Sequence, residues 1–286
     1  MLRVLGALLG WLAGSVLRIR RRHVEASMRA AGVGPAAAEA RAMYASLGAS
    51  AMEFLWMAAR GPAALDGVRF DEGSRARWEE VLGRGRGVVV AASHTGNWDM
   101  VACAVARDVE LLVVTKHLSI RWLDRFWQST RARLGVQLSD AHGAIGRARA
   151  VLRRGGVVAM MIDQVPLSPT HASPVSFLGQ TAATDRAPAA LAASARVPLV
   201  VAAARRDEAG HQVLHVLDVV EVPARPSRTW VLEATRTATR ALDAFVRRYP
   251  SQWLWMHRRW KPMLRRNSPC PTPIPSSSPA EASRAA

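Results

Sequence analysis

The sequence predicts an α/β fold in which a mixed sheet is flanked by helices, and three observations carry that expectation. From Val88 onward, apolar strand-like runs alternate with helical stretches, the pattern of layered βα units. The β-branched run Val88-Val89-Val90 passes through a polar turn, His94-Thr95-Gly96-Asn97, into the apolar residues 100–104, which reads as strand, tight loop and helix start. The 286 residues, 50% of them apolar, suffice for one sizeable core.

Taken in order, the first element is an uncharged run between Arg3 and Arg18. At ~1.5 Å per residue it reaches about 21 Å, short of the ~30 Å hydrocarbon core, so residues 1–22 are expected to form a membrane-associating helix that dips into a bilayer without crossing it. Gly6, Gly10 and Gly14 repeat every fourth residue and give one helix face close backbone access. A cleaved signal peptide has a similar outline up to Ala13-Gly14-Ser15. Against it, Arg18, Arg20, Arg21 and Arg22 oppose translocation and favour anionic lipid at ~1 kcal/mol each. The expected placement is the cytoplasmic face of a membrane.

Residues 23–60 read as helices, with Tyr44, Leu47, Ala51, Phe54 and Leu55 at helical spacing on a core face, and Gly61-Pro62 ends them. Residues 71–82 form an amphipathic helix. Gly83-x-Gly85-x-Gly87 precedes a strand, whereas a phosphate loop follows one, so these glycines mark a turn. Strands are then expected at 88–93, 111–115, 157–162, 198–204 and 212–220. Helices are expected near 98–107, 119–133, 143–154, 185–195 and 229–248. In the last helix Val231, Ala234, Ala238, Leu242, Phe245 and Tyr249 mark the buried face, and Pro250 ends it. Residues 23–264 thus form one domain, and 265–286, rich in Pro and Ser, a disordered tail.

The 39 Lys and Arg residues against 22 Asp and Glu give a net charge of +17, enough to select a polyanion: nucleic acid, an anionic membrane or an acidic protein. No zinc-finger, RNP or helix-turn-helix pattern occurs and the arginines are spread along the chain, so a basic membrane-bound nucleic-acid-binding protein is the competing reading and no nucleic-acid partner is expected. Cys103 and Cys270 make no disulfide framework, and the eight histidines form no metal-ligand pattern, which fits a reducing compartment and a site without metal.

An imidazole five residues before a carboxylate suits an oriented general base: Asp99 accepts the proton of one ring nitrogen of His94 and leaves the other free. The spacing sits among other blocks. Thr115-Lys116 precedes Leu123-Asp124-Arg125, and the run 155–164 ends in Asp163-Gln164. Phe177-Leu178-Gly179 precedes Ala182-Ala183-Thr184, then Pro198-Leu199-Val200-Val201, and Trp253, Trp255, His257, Arg258, Arg259, Trp260 and Lys261 close the series. In this order the blocks resemble the late, lauroyl/myristoyl-type acyltransferases of lipid A biosynthesis. These are related to phosphatidylinositol mannoside acyltransferases and to the wider His-x-x-x-x-Asp glycerolipid acyltransferases. Lys116 stands where many members carry Arg, and Val165 where an acidic residue is common.

The resemblance implies a glycerolipid acyltransferase-like fold. It also implies a membrane-associated O-acyltransferase that moves a fatty acyl chain from acyl carrier protein to a hydroxyl of a lipid A precursor or related glycolipid. Transfer of mannoside type from acyl-CoA is the alternative within the class, and an esterase or thioesterase a third possibility. Beyond the thioester co-substrate no cofactor is expected. There is no Gly-x-Ser-x-Gly elbow and Cys103 reads as a small helix-face residue, so transfer should be direct.

His94 and Asp99 are then the catalytic candidates. Asn97 and the amides near Trp98 are candidate oxyanion donors, Asn97 having the alternative of satisfying the turn. Lys116 and Arg125 are placed to hold phosphates, or are solvated surface. Asp163, beside Gln164 at a strand end, is placed to bind the acceptor hydroxyl. Arg258, Arg259 and Lys261, interleaved with tryptophans, read as an interfacial anchor or acidic-protein contact, with buried tryptophans beside solvated charges as the alternative.

Overall fold

The computed structural model describes residues 2–141, 143–166 and 168–261; the expected tail, with Cys270, lies outside the described residues. Nine strands are found among these residues: β1 (Val68–Phe70), β2 (Val88–Ala92), β3 (Leu111–Val114), β4 (Gln137–Ser139), β5 (Val157–Met161), β6 (Ala172–Phe177), β7 (Gln180–Asp185), β8 (Leu199–Arg206) and β9 (Gln212–Val220). Seven of them form one sheet in the order β1-β9-β8-β2-β5-β3-β4, and β6 and β7 form a separate hairpin. The sheet is parallel from β8 through β4, and β9 turns back antiparallel to β8, which makes it mixed as the sequence predicts.

The central strands are apolar at every position because both faces are covered. Val89 and Ala91 of β2 face one core with Leu199, Val201 and Ala203 of β8. Val88 and Val90 face the other with Val200, Ala202 and Ala204. The first core is closed by α2 (Arg21–Ala30), α7 (Ala144–Arg153), α8 (Ala187–Ala195) and α9 (Arg228–Arg248). The second is closed by α4 (Ser74–Gly83) and α5 (Trp98–Val105), with Leu134 at the end of α6 (Arg121–Arg133). The long α3 (Ala36–Arg60) serves both, giving Met43 and Tyr44 to the first and Met57 to the second.

The expected helices and strands from 88 onward are all present. The strands missing from the expectation are β1 and β4, each only three residues long, and the β6–β7 hairpin, whose strands mix Ser, Thr, Pro and Ala with few large apolar residues.

The amino-terminal segment packs along the domain. α1 (Leu2–Trp11) and a following π-helical turn (Leu12–Val16) lie against α3. The glycine repeat faces that helix. A Cβ on Gly10 would fall 2.1 Å from the Tyr44 carbonyl oxygen, and one on Gly6 2.4 Å from Ala49 Cα. Arg20 Nη1 donates to the Met256 carbonyl at 2.9 Å, and His23 Nε2 lies 3.0 Å from the His257 carbonyl. Residues 2–22 are therefore packed against the domain. Leu8, Trp11, Leu12 and Leu17 remain exposed on the outer side. No single helix among the described residues is long and apolar enough to cross a membrane, and α1 with its turn meets α2 at 90°.

Candidate active site

Strand register builds the site. β2 and β5 are parallel neighbours with Ala92 opposite Met161, so residues two positions beyond each strand end emerge side by side. These are His94 and Asp163. The His94 backbone N–H donates to Asp163 Oδ2 at 2.7 Å, and His94 Nδ1 lies 2.9 Å from Asp163 Oδ1. Trp253 Nε1 donates to Oδ2 at 2.9 Å. Asp163 is buried. Burial alone would raise its pKa, but the attraction of His94 and the hydrogen bonds from His94 and Trp253 hold the carboxyl well below the usual carboxylate range.

Backbone pairing fixes the loop carrying His94. Leu254 N–H donates to the His94 carbonyl at 3.0 Å and Gly96 N–H to the Gln252 carbonyl at 2.9 Å. Gly96 has φ +56°, and a Cβ there would meet the Ala204 carbonyl oxygen at 2.9 Å, so the turn requires glycine.

With Nδ1–H given to Asp163, Nε2 of His94 carries the lone pair. The Gln164 side-chain amide nitrogen lies 3.0 Å from that Nε2 and 2.7 Å from His257 Nε2, so its two hydrogens address both rings. Trp98 packs edge-on to His94, with centroids 5.0 Å apart. Burial first, then the nearby charges of His94, Lys116 and Arg20, push the His257 pKa down to about 4, which keeps it a neutral acceptor at pH 7.

The expected His94–Asp99 contact is replaced. Asp99 sits one residue inside α5 and turns toward α6, where Trp127 Nε1 donates to Oδ2 at 2.8 Å and Arg131 Nη1 lies 3.4 Å from Oδ1. Asp99 and Arg131 are both buried, and Arg131 also donates to Gln128 and Thr115. Burial pushes Asp99 up, against the pull of Arg131, Trp127 and His94. The carboxylate hydrogen-bonded to His94 is Asp163, and burial of its side chain, with three donors already on its oxygens, sets it beneath His94 rather than on an open surface.

Asn97 is corrected in the same way. Its Oδ1 accepts the Met100 N–H at 3.1 Å as the cap of α5, and its Nδ2 donates to Glu53 Oε2 at 2.9 Å. Glu53 in turn pairs with the half-buried Arg206 at 2.7 Å and accepts from Gln212. The side chain of Asn97 ties the motif loop to α3 and leaves no free oxyanion donor.

Arg259 is 1% exposed, with Nη1 donating to the carbonyls of Gln164 and Ala183 and Nη2 to Thr184 Oγ1. Burial pushes its pKa down to about 10. Trp253 and Trp255 are buried with it, so this segment supports the site from beneath, and of its three cations Arg258 and Lys261 are the exposed ones. Lys116 is exposed and close enough for its charge to act on His257, which puts it at the rim. Arg125 is exposed on α6.

Sequence reasoning counted Trp253 among the tryptophans of an interfacial anchor, with burial as the alternative, and gave His257 no role of its own; the structure buries Trp253 and sets its indole N–H on Asp163. An apolar cavity of about 90 Å³ lies beneath the motif loop, bounded by Trp98, Asp99, Ala102, Met161 and Ala202.

A buried carboxylate holding one imidazole nitrogen, with the other nitrogen facing amide and imidazole groups at the carboxyl edge of the sheet, is an arrangement for taking a proton from a hydroxyl. No curated protein matches the chain. The family model described as bacterial lipid A biosynthesis acyltransferase matches residues 1–262, nearly the whole chain and every element that builds this site. The chain belongs to the bacterial lipid A biosynthesis acyltransferase family and is an acyltransferase.

Proposed function

We propose that this enzyme moves a fatty acyl chain from acyl carrier protein directly to a hydroxyl of a lipid A precursor at the cytoplasmic face of the inner membrane. His94 is the general base and Asp163 the group that orients it. The observation that carries this reading is the Nδ1 pairing of His94 with a buried, ionised Asp163, which leaves Nε2 as the proton acceptor.

In this reading the acceptor hydroxyl displaces the Gln164 amide from His94 Nε2 and gives that nitrogen its proton. Its oxygen bonds to the thioester carbonyl carbon, and the carbonyl π pair moves onto oxygen. Gln164, retained by His257, and the first amides of α5 donate to the resulting oxyanion. Collapse restores the carbonyl and breaks the C–S bond, and the thiolate takes the proton from the His94 imidazolium. Lys116 at the rim binds a phosphate of the donor or acceptor. The +17 net charge favours an acidic carrier protein over neutral partners.

The test has two parts. Mass spectrometry of lipid A from cells with and without the gene should show loss of one secondary acyl chain. Purified enzyme should transfer from acyl carrier protein faster than from acyl-CoA; the reverse preference, with a mannoside lipid as acceptor, would support the alternative instead.

A further inference from the structure

We propose that residues 118–125, the loop entering α6 and its first turn, form a second lipid-contacting surface that inserts into an anionic bilayer beside the catalytic crevice. Leu118, Ile120 and Trp122 are 38%, 52% and 70% exposed, which makes Trp122 the most exposed large apolar side chain among the described residues.

The loop is held in this form. Asp124 accepts from the Leu118 backbone N–H at 2.9 Å, pairs with His117 Nδ1 at 2.7 Å and takes a further bond from Gln128 at 3.2 Å. This clamp fixes the backbone while the three apolar side chains point outward. Ile120 occupies the cap position of α6 and makes no side-chain capping bond, a place where a polar residue is strongly preferred.

The surroundings match the headgroup region. Lys116, Arg121 and Arg125 are exposed around Trp122, while the one acidic residue of this stretch, Asp124, has both oxygens engaged. An indole flanked by cations is the composition that favours a negatively charged membrane boundary. The location also fits. β3 runs parallel to β5, so the chain leaves the sheet for residues 115–120 at the same edge as His94 and Asp163. α6 touches α3 through the Phe126–Phe54 edge contact at 5.9 Å, and Leu55 and Trp56 beside it are exposed as well. An acceptor lipid would then reach His94 without leaving the bilayer surface.

The proposal rests on the enzyme working at a lipid surface and is independent of the His94 chemistry, because its readout is insertion and not turnover. Cys103 is buried and its thiol is pushed up to about 12, so the full chain needs only Cys270→Ser before labelling. Trp122→Cys is labelled with the environment-sensitive dye NBD. Ala224→Cys, exposed after β9 at the opposite edge of the sheet, serves as control. On vesicles of equal parts phosphatidylglycerol and phosphatidylethanolamine, the dye at 122 should shift to the blue and lose intensity to doxyl-labelled lipid, and the dye at 224 should do neither. Combined Ile120→Ser and Trp122→Ser should lower the vesicle partition coefficient roughly tenfold or more while the melting temperature holds. If the chain sediments with the vesicles and the dye at 122 stays unchanged, α1 alone makes the contact and the proposal fails. A shift produced by acyl carrier protein and not by vesicles would overturn it in favour of a protein-docking surface.

Discussion

Replacing Asp163 by Asn should cripple turnover, whereas Asp99→Asn should act mainly on stability. Asp163 receives two donors on Oδ2, from the His94 backbone and Trp253, and one on Oδ1, from His94 Nδ1. An Asn side chain offers one acceptor and one donor edge. With its oxygen at the Oδ2 position both of those donors are kept, but its NH₂ faces Nδ1 and forces the proton onto Nε2, which removes the base. The opposite orientation keeps the working tautomer but sets an NH₂ against two buried donors, at ~1–3 kcal/mol for each unpaired group. The inactive orientation therefore wins, and with the lost stabilisation of the imidazolium the expected fall in kcat/KM is ~10²–10⁴. Asp99→Asn keeps the His94–Asp163 pair and leaves the Arg131 charge uncompensated, a loss on the order of 3–5 kcal/mol in unfolding free energy. The assay is single-turnover transfer of a radiolabelled acyl chain, with thermal unfolding of each variant in parallel. Full activity in Asp163→Asn, together with an inactive but stably folded Asp99→Asn, would refute the assignment and restore the His-x-x-x-x-Asp dyad.

Further outcomes follow from the same geometry. His94→Ala should lose ~10²–10⁴ in turnover, measured by the same assay, with lipid binding retained. Gly10→Leu should detach α1 from α3, because its side chain meets the Tyr44 carbonyl; a loss of at least ~1–3 kcal/mol in denaturant unfolding is expected, and an unchanged midpoint would show that α1 does not pack there. Arg259→Met should lower stability by roughly 2–5 kcal/mol through the carbonyls and Thr184 hydroxyl left unpaired, yet leave vesicle binding intact; the opposite pattern would make Arg259 an interfacial anchor. His257 has a folded pKa of about 4 against an unfolded value of ~6.5, so the unfolded chain binds the extra proton as pH falls through that window. Its stability contribution is intact above about pH 6.5 and declines toward pH 4, and that decline should shrink in His257→Asn, read from urea midpoints. The depressed Asp163 carboxyl acts lower: its contribution is present above the unfolded value of ~3.9 and is lost as pH falls through its folded pKa.

The sequence by itself determined the alternation of strands and helices, the placement of His94 in a strand-to-helix turn, and the glycine face of α1. Each is a local signal: short apolar runs such as Val88-Val89-Val90, a Gly and an Asn at a chain reversal, and a four-residue repeat. It also gave Asp163 as a site residue, from its position after an apolar strand. What the glycine face packs against was not legible, because the spacing is the same whether the partner is another membrane helix or α3 of the same domain.

The tertiary structure alone decided which carboxylate serves His94. Asp99 is near in sequence, but a residue one position inside a helix is carried by the helical turn toward whatever packs on α5, here Trp127 and Arg131. Asp163 is 69 residues away, yet strand order sets β5 beside β2 and their register brings positions 94 and 163 together. The same holds for Arg259, His257 and Trp253: the residues that cover them come from the β6–β7 hairpin, α2 and the His94 loop. Burial and hydrogen-bond partners arise from pairing between distant segments, and no local pattern of residues records which segments will be neighbours.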